Sequence, residues 1–239
     1  DLWAYVLDNV GSVKDGNDGT TVLLPSPSWK GKLPEGIDRA VRGESEFLGT
    51  LTRAQIIGGE EDMARVKQIQ QSYKLQPLSD YLGTEAPAAA PAIDWPAWVE
   101  NDEMTEKYWS YVAFMLPFTT PHPDDQSMYE KMASLGLERG VAWEPEKLDP
   151  AIRQALKDGI GDARAELKKL SQGKVEPSKF AGARNTLNPT YLDRAMSVYM
   201  GIFINVAEQS VYFSLPVDAD GKPFDGGKYN YTLEMSKDQ

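Results

Sequence analysis

The first third of the chain has the hydrophobic pattern of β-strands. Residues 2–10 (LWAYVLDNV) are apolar on both alternating faces, as expected for a strand that is covered on both sides. The turn-forming run 14–19 (KDGNDG) separates it from a strand-like segment at 20–24, and the two segments predict a β-hairpin. Further strands are predicted at 37–41 and 47–57.

The middle of the chain has the apolar spacing of helices. Apolar residues recur every three or four positions behind capping or acidic residues. This spacing predicts five helices, at about 60–75, 103–118, 124–135, 150–170 and 191–206. The last one is apolar over most of its circumference, which predicts burial on several sides.

The last segments return to strand-like alternation, at 210–217 and 228–235, around a turn-rich loop.

The Ala- and Pro-rich run 84–94 (TEAPAAAPAID) lacks apolar periodicity and is typical of a semi-extended linker. The pattern therefore predicts an α+β protein in three parts. Residues 1–83 are β-rich with a terminal helix, 84–187 are the linker and a helical connector, and 188–239 open a second β-rich part.

Composition excludes several classes of function. The 239 residues include 36 acidic and 25 basic side chains, for a net charge of −11, and no basic cluster that would track nucleic acid. The chain has no cysteine, so disulfides, thiolate zinc sites and cysteine nucleophiles are excluded. The longest apolar stretches fall short of the roughly 20 residues that a membrane span needs.

The sequence contains no recognisable catalytic signature. His122 is the only histidine, and a general base or lone ligand there competes with loop geometry and helix capping, which we favour because prolines flank it and two aspartates follow. No G-x-S-x-G elbow is present. The acidic loop 218–225 lacks the spacing of an EF-hand and reads as a turn. We therefore expect neither a metal site nor a cofactor.

The most interesting polar side chains are three arginines on or beside the predicted strands: Arg39, Arg42 and Arg53. A guanidinium group there could hold a carboxylate or phosphate, or it could pair with acidic residues on neighbouring strands. Aromatic residues also crowd the region after the linker, at Trp95, Trp98, Tyr108, Trp109 and Tyr111. They could stack on sugars or apolar ligands, or pack in the core. The candidate ligand-binding residues are Arg39, Arg42, Arg53, His122 and Trp109.

Several runs resemble known families of unknown function. Residues 25–36 (PSPSWKGKLPEG), with 51–53 (LTR) and 75–78 (LQPL), resemble the closing half of domain-of-unknown-function family 1254. Further along, 191–195 (YLDRA) and 231–233 (YTL) resemble the opening of the partner family 1214.

This resemblance implies the central portion of a longer, two-domain protein. In such proteins, β-rich domains of sandwich or jelly-roll character flank a helical connector, and members often carry export signals in bacteria. We therefore expect a periplasmic or secreted protein. Sheet edges left by missing strands should be covered by another subunit or by the missing segments, so we also expect a homo-oligomer or a complemented chain. The family supplies no catalytic residues to transfer.

Two functions remain open at this point. The first is an exported, non-catalytic protein that binds an unknown small ligand or protein in a groove lined by arginine and aromatic side chains. The alternative is a hydrolase-like enzyme whose site lies between the two domains and is completed by residues outside this chain. The alternative requires His122, or two carboxylates, to converge with a hydroxyl or water in a cleft.

Overall fold

Helices dominate the structure, a computed structural model that describes residues 1–173, 182–187, 190–202, 204–210 and 215–234. The α-helices in these ranges are α1 Ser12–Asp15, α2 Glu60–Ser72, α3 Leu78–Leu82, α4 Lys107–Met115, α5 Gln126–Ser134, α6 Pro150–Ser171, α7 Arg184–Leu187 and α8 Tyr191–Met200. Short 3₁₀ turns lie at Asp102–Met104, Leu116–Phe118, Pro123–Asp125 and Pro145–Lys147.

The predicted helices form because local signals start them. Helix α2 begins where the Asp62 carboxylate accepts hydrogen bonds from the amides of Ile57 and Gly58, at 2.6 and 3.0 Å. Helix α6 begins where the Asp149 side chain accepts from the Ala151 amide, with Pro150 at the first helical position. These helices are confirmed within a few residues of the predicted bounds.

Helix α8 is shorter and more exposed than predicted. It ends at Met200, before Gly201, and within it only Met196 and Ser197 are buried. Leu192 and Val198 are 46% and 48% exposed, so the prediction of burial on several sides is wrong.

The prediction of β-rich sandwich or jelly-roll portions is also wrong. The described residues contain one ladder, in which β1 Val22–Leu23 pairs in parallel with β2 Arg39–Ala40. Val22 lies opposite Arg39, and Leu23 lies opposite Ala40. The turn-forming run 14–19, which was expected to close a hairpin, instead begins with the last two residues of helix α1, Lys14 and Asp15.

The other strand-like segments of the first third have no ladder partner. Residues 2–10 start in a turn in which the Asp1 carboxylate accepts the amides of Trp3 and Tyr5, at 3.1 and 3.4 Å. Residues 47–57 run without a helix, turn or bend. Strand-like composition needs a neighbouring strand to become a sheet, and the described chain does not supply one here.

The last described segment contains the predicted turn but not the predicted strands. The Asp218 carboxylate accepts the amides of Asp220 and Lys222, at 3.0 and 2.9 Å, and Val217 forms an isolated bridge with Pro223. Residues 211–214 and residue 235, which belong to the two predicted strands, lie outside the described residues.

Two packing regions hold the helices together. The buried cluster of Ala113, Leu116 and Leu137 lies beneath α4 and α5, with the rings of Trp109 and Trp143 against it. Helix α6 packs against α8, where Leu156, Ile160 and Met196 are buried. The Trp109 indole Nε1 donates to the Leu156 carbonyl at 3.0 Å, which joins α4 to α6.

The chain exposes much more surface than a globular monomer of its mass. Its accessible area is 17718 Å², whereas about 10,700 Å² is expected for a 26.5 kDa monomer. The Ala- and Pro-rich run 84–94 is exposed throughout and has no regular structure.

None of the helices in the described residues combines the length and the apolar character needed to cross a membrane. The division into three parts stays a prediction.

Candidate functional site

The first residues of the chain form a tight loop that holds two aromatic rings. Ala4 has a φ of 61°, in the left-handed region, and its amide donates to the Asp1 carbonyl at 3.0 Å. Such a conformation is uncommon for a residue with a Cβ and persists where surrounding contacts enforce it. Here the Asp1 carboxylate supplies those contacts by binding the amides of Trp3 and Tyr5.

A short antiparallel contact brings Glu44 to the same place. The Glu46 amide donates to the Phe118 carbonyl at 2.8 Å, and the Thr120 amide donates to the Glu44 carbonyl at 2.7 Å. Between them, Ser45 is buried and forms a bridge with Thr119. The Glu44 amide also donates to the Asp1 carboxylate at 3.0 Å, which fixes this segment against the first loop.

Arg184 on α7 then binds two carboxylates from distant parts of the chain. The Val6 amide donates to the Gly182 carbonyl at 3.0 Å, which places α7 beside the first loop. The Arg184 guanidinium donates to both oxygens of Glu44, and to Asp125 Oδ2 at 2.6 Å. The side chains of Arg184, Glu44 and Asp125 are only 16%, 20% and 9% exposed, so this network is largely removed from water.

Helix α8 completes the site with Tyr191 and Arg194. The Tyr191 hydroxyl donates to Asp125 Oδ1 at 2.8 Å. Arg194, one turn further along α8, lies over three rings, with its Cζ 4.6 Å from the Tyr5 centroid, 5.4 Å from Tyr191 and 5.8 Å from Trp3.

The Arg184 Cζ also lies over the Tyr5 ring, at 4.7 Å, so both guanidinium groups contact the same ring. We call this set of seven residues the arginine–aromatic cluster: Trp3, Tyr5, Glu44, Asp125, Arg184, Tyr191 and Arg194.

The ionisation states of the cluster follow from burial and pairing. Burial alone would raise the pKa of the Asp125 carboxyl, but the hydrogen bonds from Arg184 and Tyr191 and the charges of the two arginines lower that pKa below its usual value. Burial, helped by the bond to Asp125, raises the pKa of Tyr191 to about 12. At neutral pH the Asp125 carboxylate is therefore charged, and the Tyr191 hydroxyl keeps its proton.

One nitrogen of each arginine is left without a partner. The Nη1 atoms of Arg184 and Arg194 are both buried, and neither donates to any acceptor in the part of the chain that the structure describes. A buried donor without an acceptor costs about 1–3 kcal/mol, and more when it is charged. Such groups in a native protein call for an acceptor beyond the described residues, such as water or a ligand.

The geometry suits binding better than acid–base catalysis. Glu44 and Asp125 do converge, as the hydrolase-like hypothesis requires of two carboxylates, but both are held by Arg184. The lowered pKa of Asp125 makes it a weak base, and the raised pKa of Tyr191 opposes loss of its proton. Among the described residues, no group of three or more acidic or histidine side chains is placed to hold a metal ion.

The three arginines that the sequence singled out lie in other surroundings. Arg39 donates to the Asp8 and Asp15 carboxylates, at 2.6 Å each, so it is paired with aspartates but not with acidic residues on neighbouring strands. Arg42 donates to the Ser26 carbonyl at 2.7 Å. Arg53 is exposed and makes no hydrogen bond or ion pair within the described ranges.

His122 and Trp109 also have structural roles. The His122 Nδ1 accepts the Asp124 amide at 3.2 Å and caps the 3₁₀ turn at Pro123–Asp125, as the favoured interpretation predicted. Trp109 packs in the core beside α6. Within the described part of the chain, no hydrogen bond, ion pair or ring contact joins any two of the five predicted site residues. Ligand binding by them stays a prediction.

A second feature of the surface is an apolar groove of about 250 Å³ after the linker. Its lining residues are Trp95, Pro96, Trp98, Tyr111, Phe114 and Met115. The groove therefore brings together three members of the predicted aromatic set. Trp95 and Trp98 are 52% and 57% exposed, and the Trp98 ring lies 4.7 Å from the Tyr111 ring.

Comparison with known families gives a partial match to this chain. Residues 1–77 match DUF1254, a family of proteins of unknown function. The DUF1254 match contains Trp3, Tyr5 and Glu44 of the arginine–aromatic cluster, whereas Arg184 and α8 lie beyond it. The resemblance of the later residues to family 1214 stays a prediction. Comparison with curated proteins gave no match.

A solved structure shows the same fold. The crystal structure of the VPA0106 protein from Vibrio parahaemolyticus, a structural-genomics target, superposes with a TM-score of 0.72 at 20% sequence identity. The similarity covers 95% of this chain but 55% of that one, so the chain spans about half the length of its structural relative.

Proposed function

We propose that this protein is a non-catalytic binding protein and that the arginine–aromatic cluster binds a small molecule carrying an oxyanion, either a carboxylate or a phosphate. The observation that carries the proposal is the pair of buried Nη1 groups, on Arg184 and Arg194, that have no acceptor among the described residues.

The chemistry of the donors favours an oxyanion. A guanidinium group presents N–H donors in a planar fork that matches carboxylate and phosphate oxygens, and charge-assisted hydrogen bonds are roughly twice as strong as neutral ones. The rings of Trp3, Tyr5 and Tyr191 lower the local polarity around Arg194, which strengthens its attraction for an anion.

Arg194 carries more of the proposed affinity than Arg184. Arg184 already donates to two carboxylates, whereas Arg194 donates to no carboxylate in the described chain and is held by aromatic rings. An incoming anion would therefore give Arg194 a hydrogen-bonded negative partner that the described chain does not supply. Removing Arg184 would instead leave Glu44 and Asp125 without their shared cation and disturb the fold.

The test is calorimetric titration of the wild-type chain, Arg194→Gln and Arg53→Gln with inorganic phosphate and, separately, with acetate. Arg53→Gln is the matched control, because it removes the same charge at an exposed position. We expect saturable binding of at least one anion to the wild type and to Arg53→Gln. Loss of a charged hydrogen bond of about 1.5–3 kcal/mol predicts roughly 10- to 100-fold weaker binding to Arg194→Gln.

The two anions distinguish the source of the oxygen atoms, since binding of acetate alone would indicate a carboxylate ligand and binding of phosphate alone a phosphorylated one. Circular dichroism melts of both variants show whether they keep the wild-type fold. Absence of saturable binding, or equal weakening in the two folded variants, would contradict the proposal.

We also propose, from the DUF1254 resemblance alone, that this protein is exported. The measurement is osmotic-shock fractionation of bacterial cells that make the protein. Recovery with the cytoplasmic marker enzyme rather than with the periplasmic one would contradict export.

A further inference from the structure

The charges of the arginine–aromatic cluster balance before any ligand enters. Arg184 and Arg194 carry two positive charges, and the carboxylates that Arg184 binds carry two negative ones. The Tyr191 hydroxyl donates to one of these carboxylates at 2.8 Å and keeps its proton. An added anion therefore brings uncompensated charge into a site that is largely removed from water, and the cost of burying it rises with that charge.

The two carboxylates of the cluster lie close to any anion that it binds. Arg184 holds Glu44 and Asp125 with its Nε and Nη2 atoms, which leaves Nη1 of the same guanidinium group for a ligand. The Cζ atoms of Arg184 and Arg194 lie 4.7 and 4.6 Å from the centroid of one ring, that of Tyr5. An anion at either arginine is therefore repelled by both carboxylates, in proportion to its own charge.

This repulsion favours a carboxylate over a phosphate. A carboxylate carries a single negative charge, whereas a phosphate monoester carries about −1.5 to −2 at pH 7. Both present oxygen atoms that fit the fork of a guanidinium group, so shape does not separate them. Charge does, because the dianion meets up to twice the repulsion of the monoanion.

The aromatic side chains indicate the rest of the ligand. The Arg194 Cζ lies 5.8 Å from the Trp3 centroid and 5.4 Å from the Tyr191 centroid. All three side chains are half-buried, so a ligand that enters from solvent reaches the cluster beside these rings. A ring attached to the bound carboxylate would pack against them, and aromatic pairs are stabilised beyond the burial of their area.

We propose that the ligand of the arginine–aromatic cluster is a monocarboxylate that carries an aromatic ring, with the carboxylate at Arg194 and the ring against Trp3 and Tyr191. This inference rests on the proposed function, because it takes oxyanion binding at Arg194 as given. It adds two preferences, for a carboxylate over a phosphate and for an aromatic substituent over a methyl group.

Calorimetric titration of the wild-type chain at pH 7 with benzoate, acetate and phenyl phosphate tests both preferences. Benzoate and acetate share the carboxylate and differ in the ring, whereas benzoate and phenyl phosphate share the ring and differ in charge. We expect benzoate to bind roughly ten-fold more tightly than acetate, because the ring is buried against other rings. We expect phenyl phosphate to bind at least about three-fold more weakly than benzoate.

The Trp3→Leu variant tests where the ring lies. It removes an aromatic contact and keeps an apolar side chain, so the preference for benzoate over acetate should fall several-fold. Trp29→Leu is the matched control, because Trp29 is also half-buried but lies against Arg42. It should keep the wild-type ratio. The ratio of two affinities on one variant does not change if part of the protein is unfolded, since both ligands lose the same fraction of sites.

The outcomes separate this inference from the proposed function. Benzoate that binds no more tightly than acetate, or phenyl phosphate that binds as tightly as benzoate, would overturn the inference and leave oxyanion binding standing. A benzoate-to-acetate ratio that is unchanged in Trp3→Leu, or that falls equally in Trp29→Leu, would overturn the position of the ring. Absence of saturable binding by all three anions would contradict oxyanion binding itself.

Discussion

The arginines of this protein differ in what compensates their charge. Arg39 is neutralised by two aspartates, and Arg53 is solvated at the surface. Arg194 is instead held by aromatic rings and keeps a buried donor without an acceptor among the described residues. A guanidinium group in this last environment gains the most binding free energy from an added anion. The candidate site is therefore the cluster around Arg194 and not the arginines of the predicted strands.

The lowered pKa values of the paired aspartates predict acid sensitivity. Asp125, Asp8 and Asp15 all have pKa values below the usual 3.8. A carboxyl with a lowered folded pKa contributes stability that is fully present above 3.8 and is lost as the pH falls through its folded pKa. We therefore expect the free energy of unfolding, measured in urea, to be steady between pH 5 and 7 and to fall below about pH 4.

The Asp125→Asn variant tests whether the arginine–aromatic cluster takes part in this loss. It should be less stable than the wild type at pH 7 and should lose less stability on acidification. Asp94→Asn, in the exposed linker, is the control and should follow the wild type. Stability that rises on acidification, or an Asp125→Asn profile parallel to that of the wild type, would disagree with the ion pairs described here.

At the residue scale, sequence reasoning found local roles and missed distant ones. The cap formed by His122 follows from its neighbours Pro123 and Asp124, which are visible in the sequence. The contact between Arg184 and Glu44 spans 140 residues and depends on how the whole chain folds. No local signal marks Arg184, and Arg194 stands out only as part of the run 191–195 (YLDRA) that resembles family 1214.

At the scale of elements, helices were predictable and sheets were not, for the same reason. The hydrogen bonds of α2 are made within the helix, and its start is fixed by Asp62 nearby. A strand at 47–57 needs a neighbouring strand to pair with, and the sequence of the segment does not indicate which part of the chain that would be. The predicted β-rich portions therefore remained unpaired in the described chain, where only β1 and β2 form a ladder.

The packing of α8 against α6 predicts a large effect of one core substitution. Met196 is fully buried on α8, so Met196→Ala should lower the free energy of unfolding by about 2–5 kcal/mol through lost contacts and a cavity. Leu192→Ala on the same helix removes a side chain that is 46% exposed and should cost less than about 1 kcal/mol. Urea titrations measure both, and equal losses would contradict the packing of α8.

At the scale of the whole molecule, the arginine–aromatic cluster is a junction. It joins the first loop and Glu44, which lie within the DUF1254 match, to α7 and α8, which lie beyond it. Its parts can meet only when these distant segments are folded together. A ligand bound there would therefore stabilise the whole arrangement by binding only the folded state.

The large accessible area is also a property of the whole molecule. The structural relative from Vibrio parahaemolyticus is nearly twice as long as the part that this chain matches. Exposed apolar residues on α8 and on residues 48–56 are consistent with a molecule that buries more surface in its complete assembly.

The most direct test of the central claim is a titration of the ¹⁵N-labelled chain with inorganic phosphate and with acetate, observed at the arginine side-chain signals by nuclear magnetic resonance. Binding at the arginine–aromatic cluster predicts saturable shifts of the Arg184 and Arg194 signals with at least one anion, while the Arg53 signal stays in place. Signals of Arg184 and Arg194 that do not move with either anion, or that move no more than that of Arg53, would contradict it.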